Sequence, residues 1–191
     1  MRTIGFALVG LALGLAACSP PKPAEAPAPV APLSAPAANL APANPPPPGS
    51  PGGLPDDRTP ISEGKIDPKS AQGAAQVTQT YYALIGEGKY AEAWALWSDG
   101  GKASGVSQAD FAKSFDRYAS YNAQIGAPGD TEGGAGSIYV AVPVVIYGRL
   151  KTGAEVHEKG EMQLRRVNDV DGSTAEQRRW HIAGIDTKPA P

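Results

Sequence analysis

The chain has 191 residues, with 17 Lys and Arg against 19 Asp and Glu, one Cys, two His, 20 Pro and 23 Gly. An evenly spread charge near zero argues against nucleic-acid binding, which needs a basic face to neutralise phosphates. One Cys excludes an internal disulfide, and His157 and His181 alone leave no donor set for a Cys/His zinc centre, so no metal or cofactor is expected.

Residues 1–17 read as a secretory signal. Arg2 supplies the positive start, and the 14 uncharged residues 4–17 fall short of the roughly 20 that a bilayer span requires. Leu15-Ala16-Ala17-Cys18 closes the segment and resembles the lipobox of bacterial lipoproteins. The resemblance implies cleavage between Ala17 and Cys18, acylation of Cys18, and attachment to a membrane of the cell envelope through that lipid. Stable anchoring needs two or more chains, at about 0.8 kcal/mol per buried methylene. Ser19 follows where Asp would favour retention at the inner membrane, which implies the periplasmic face of the outer membrane.

Of the 42 residues 19–60, 24 are Pro or Ala, so this stretch cannot build a core. Residues 18–70 are expected to form a disordered, Pro/Ala-rich tether behind the lipidated Cys18. Its 52 residues from position 19 onward would reach about 160 Å as polyproline II, less where Gly49, Gly52 and Gly53 interrupt it.

Composition changes after Ser70: every Trp and Tyr lies beyond it. A domain is expected over 71–187, with a short tail at 188–191. Ser70, or Pro68-Lys69, opens a first helix whose Val77, Tyr81, Leu84 and Ile85 form one stripe, ended by Gly86 and Gly88. A second helix carries Tyr90, Ala93, Trp94 and Trp97 and stops at Asp99-Gly100-Gly101. Ser107 with Asp110 starts a third, whose Phe111, Phe115 and Tyr118 share a face.

Beyond Tyr121 the period shortens. Residues 126–136 read as a glycine-rich turn region, not a phosphate loop, because no Lys-Ser/Thr follows and Asp130 and Glu132 would repel an anion. Residues 137–150 form a β run apolar on both faces, with Pro143 marking an edge or bulge. Lys151-Thr152-Gly153-Ala154 turns into a strand at 156–167, a loop spans 168–177, and 179–185 form the last strand, with Trp180 and Ile182 on one face. Arg165-Arg166 and Arg178-Arg179 are expected as solvated basic pairs that could lie on adjacent strands.

The helix text Val77-x-x-x-Tyr81-Tyr82-Ala83-Leu84-Ile85-x-x-Gly88-x-Tyr90-x-x-Ala93-Trp94-x-Leu96, followed by a third helix and long strands ending in Trp180-His181-Ile182, resembles the nuclear transport factor 2-like superfamily. The resemblance implies an α+β fold, three N-terminal helices packed in a strongly bent antiparallel sheet that leaves a conical pocket. That superfamily holds isomerases, cyclases and dehydratases beside non-catalytic envelope modules, so the fold licenses a pocket and no particular reaction. Tyr81, Tyr82, Trp94, Tyr139 and Tyr147 are the candidate pocket residues. Asp99, Glu161 and His181 match no acid–base spacing, and no catalytic residue is assigned. The expected function is a non-catalytic module binding a small apolar ligand or an envelope protein. An isomerase or cyclase using the cone, and a structural subunit of an envelope assembly, are the alternatives.

Overall fold

A computed structural model describes residues 43–56 and 64–190 of the chain. Residues 1–42 and 57–63, with Ala17, Cys18 and most of the expected tether, lie outside them. Among the described residues no helix is long and apolar enough to cross a membrane.

The chain is α+β, and its antiparallel sheet has five strands. Helix α1 spans Ala71–Gly86, α2 Tyr90–Ala95 and α3 Gln108–Ser114, with a 3-10 turn at Lys102–Ser104. The strands are β1 (Tyr118–Ile125), β2 (Glu132–Gly134), β3 (Ser137–Leu150), β4 (Glu155–Val167) and β5 (His181–Pro189). The order is β1-β3-β4-β5, and β2 pairs with the end of β3 that β1 leaves uncovered.

Capping follows the sequence. Ser70 Oγ accepts from Gly73 N at 3.1 Å, and Ser107 Oγ accepts from Asp110 N at 3.2 Å, so each hydroxyl satisfies one orphan amide of its helix. Two expectations for the helices are corrected. Trp97 has already left α2 and forms a bridge with Ile182, because Ile182 N–H bonds Leu96 O and Ser98 N–H bonds Ile182 O. Tyr118 belongs to β1 rather than α3, although its ring still joins the aromatic cluster through Phe115 and Tyr121.

Alternation along β3 sorts its two faces. Val140, Val142, Val144 and Ile146 join Met162 and Leu164 of β4 and Tyr81, Tyr82 and Ile85 of α1 in the core. Pro143 marks neither an edge nor a bulge: β3 is central, and its register with β4 runs unbroken from Ser137↔Val167 to Arg149↔Glu155. Its carbonyl accepts from Gly126 N–H, so its missing donor faces the gap where β1 has ended and β2 has not begun. Gly148 and Gly160 sit where neighbouring strands come closest; a side chain on either would overlap Ser120 or Asp186 backbone. β5 runs to Pro189, paired with Glu158, so Lys188 and Pro189 of the expected tail are strand.

Residues 43–56 depart from the expected featureless tether. Ser50 N–H bonds Pro47 O, Gly53 N–H bonds Ser50 O, and Gly49 N–H bonds Leu54 O. Pro48-Gly49 and Pro51-Gly52 occupy the two corners, and each glycine has φ of 78°, the requirement of a type II turn. Leu54 is buried.

Candidate functional site

The candidate site is a groove of about 480 Å³ beside the first half of α1. Gly73, Gln76, Val77 and Thr80 recur at helical spacing and form one wall. Ala95 and Leu96, just past α2, form the second, and the loop from Asp169 to His181 forms the third. The lining is mainly apolar between charged rims.

Several bonds hold the start of α1 against that loop. Trp180 Nε1 donates to Ser70 O at 3.0 Å, which ties the helix cap to the residue before β5. Lys69 pairs with Asp169, and Arg178 Nε reaches the other oxygen of Asp169 at 3.2 Å. The Lys69 hydrogen bond holds the Asp169 carboxyl below the usual carboxylate range against an opposing desolvation, and the charges of Lys69, Arg178 and Arg166 add to the lowering. Arg178 also donates to Ser173 Oγ and O, each at 2.8 Å, which fixes the loop on itself.

Glu176 and His181 stand at the other end. His181 Nε2 lies 3.0 Å from Glu176 O and 3.4 Å from Glu176 Oε1. A carbonyl can only accept, so the bond to it places the ring proton on Nε2. Both residues also line an adjoining groove of about 420 Å³ with Asp99, Arg165 and Arg166. Lys69, Arg178 and Arg179 face Asp169 and Glu176, so three cations against two carboxylates leave the main groove one net positive charge, His181 aside.

The five candidate pocket residues do not gather in one pocket, and none lines the groove. Tyr81 and Tyr82 are buried in the core, with ring centroids 5.0 Å apart, and burial pushes both hydroxyls well above the usual tyrosine range. Trp94 lies over Gly101 and donates to Ser104 Oγ at 3.0 Å. Tyr139 and Tyr147 are on the opposite face of β3, Tyr139 beside Glu161 in a separate hollow. Asp99 is an exposed turn residue with φ of 56°. Arg178 and Arg179 precede β5 and share no strand pair with Arg165 and Arg166, and Arg166 instead stacks over Trp180 at 5.3 Å.

Sequence reasoning singled out His181 and the Arg178-Arg179 pair but missed Lys69, Val77, Leu96, Asp169 and Glu176. The run Arg178-Arg179-Trp180-His181, two cations, an indole and an imidazole in sequence, was the available signal. Among the described residues the buried polar ones are Thr78, Ser98 and Ser137, and no group of three or more His, Cys, Asp or Glu is placed to hold a metal.

No family model matches the chain, and no curated protein matches it. Among solved structures it is similar to the Kfla4162 protein from Kribbella flavida, at 12% identity and a TM-score of 0.45, over 65% of this chain and 93% of that one.

Proposed function

We propose that the protein is an envelope lipoprotein, anchored through lipid on Cys18, whose folded part is a cone-shaped module of the nuclear transport factor 2-like kind that binds a ligand without transforming it. The groove beside α1 carries this reading. Its volume falls in the range of small-molecule sites, its lining is mostly apolar, and its one net positive charge suits a small apolar ligand with an anionic end. The interior of the domain supports a binding role over the isomerase or cyclase alternative. Tyr81, Tyr82, Trp97, Phe111 and Trp180 fill it, and its buried polar residues are the uncharged Thr78, Ser98 and Ser137.

The test is fluorescence titration of the mature chain with anilinonaphthalene sulfonate, an apolar body with one anionic group. Val77→Trp would fill the groove from the α1 wall and is expected to weaken binding at least tenfold, with the thermal transition retained. No binding by the native chain, or equal binding by the variant, would refute the assignment. Anchoring is tested separately: Cys18→Ser should release the protein from membranes or leave it unprocessed, and a lipid-labelled product would contradict it.

A further inference from the structure

The double turn at residues 47–54 is pinned to the sheet. Lys159 Nζ donates to Gly53 O at 2.5 Å, and a side chain on Gly126 would stand 3.3 Å from Leu54 Cδ2. Lys159 is the register partner of Val145, which belongs to the face of β3 opposite the core and is nonetheless fully buried. Leu54 is 6% exposed although it lies outside the helix-side core. The turns themselves are tight, since a side chain on Gly53 would run into Pro47 O. Pro-Gly corners, an inserted Leu and a lysine clamp make a docked element out of what composition presents as linker.

We propose that this strap is a second, fixed attachment of the tether, which shortens the reach of the domain from its anchor. The inference rests on attachment at Cys18. Between Cys18 and Pro47 stand 28 residues, 19–46, so the strap is held within about 90 Å of the anchor, against about 160 Å for the start of α1 if all 52 residues 19–70 were free. The chain arrives at the strap on the face that α1 does not cover.

Two measurements on the mature chain separate the strap from the anchor. Hydrogen exchange on the uncoupled protein reads the strap alone: the Gly49 and Gly53 amides are expected to exchange at least tenfold more slowly than unprotected glycine amides. Gly53→Val combined with Leu54→Asp should remove that protection while the thermal transition persists. Unprotected amides in the native chain would overturn the proposal whatever holds Cys18. Coupling the single thiol of Cys18 to a maleimide-headgroup lipid in a supported bilayer then supplies the anchor chemically. Neutron reflectometry should keep the strapped face of the native domain within about 90 Å of the bilayer and spread the double variant over a height range extended by up to about 70 Å. Identical profiles would overturn the claim on reach. Should the double variant unfold, Lys159→Ala removes the clamp alone and is expected to raise Gly53 exchange, and unchanged exchange would count against the strap.

Discussion

Gly101 packs against the indole of Trp94, close enough that any β-carbon on it would stand 2.4 Å from three ring atoms. Its φ of 92° is also one that side-chain-bearing residues avoid. The same indole donates to Ser104 Oγ at 3.0 Å and Val106 O at 3.2 Å, so this pair fixes the path from α2 to α3. Gly101→Ala is expected to cost about 1–2 kcal/mol for the backbone and about 1–3 kcal/mol for the overlap. Gly100→Ala has φ of 63° but open space beside it, and should show the backbone cost alone. Thermal denaturation of the two variants side by side separates the contributions, and equal losses would show that the ring contact is immaterial.

Tyr82 carries a hydroxyl buried without a partner, beside a ring of Tyr121 stacked at 6.4 Å. Burial raises the hydroxyls of Tyr81, Tyr82 and Tyr121 above the ordinary range, and for Tyr82 neighbouring Tyr81 and Glu158 add to it. A raised folded value means that stability is fully present below the unfolded tyrosine value near 10 and is lost as pH rises beyond it. Tyr82→Phe should therefore stabilise the domain by about 1–3 kcal/mol at neutral pH, the cost of an unmatched buried polar group. It should also lose less stability between pH 8 and pH 11. Denaturant unfolding at both values checks each statement.

β3 was legible to the residue, because fourteen residues of which eight are Val, Ile or Tyr, set between a glycine-rich loop and a turn, admit few other readings. β1 was not. Tyr118-Ala119-Ser120-Tyr121-Asn122 alternates poorly, and only pairing with β3 makes it a strand. The strap was hidden by its own composition: Pro-Gly pairs read as linker until Leu54 finds a surface and Lys159 a carbonyl. The groove was illegible for another reason. Lys69 and Asp169 are 100 positions apart, and no local pattern announces such a pairing.

Ile182 is wholly buried at the point where β5 leaves Trp180, and its backbone bonds Leu96 and Ser98 on the edge away from β4. Ile182→Ala keeps those bonds and removes the packing, with an expected loss of about 2–5 kcal/mol. Leu96 and His181, which flank it, line the groove. Binding of the anionic dye should weaken along with stability. Destabilisation with binding intact, measured well below the transition temperature, would show that the groove walls do not depend on this seam.

Asp169 links the start of α1 to the loop that closes the groove, through Lys69 and Arg178. Because its folded carboxyl value is depressed, the stabilisation is present above the unfolded value near 3.9 and fades as pH falls through the lower folded one. Asp169→Asn should therefore melt slightly below the native chain at pH 7, and the two should converge toward pH 2.5. High salt should narrow the gap at pH 7, since both partners of the Lys69 pair are half exposed. Removing one of two carboxylates also raises the groove from one net positive charge to two, which should tighten the dye several-fold at low ionic strength. Parallel melting profiles across the acid range would mean that the ion pair does not hold the loop, and unchanged dye affinity would mean that the anionic end of the ligand does not face this rim.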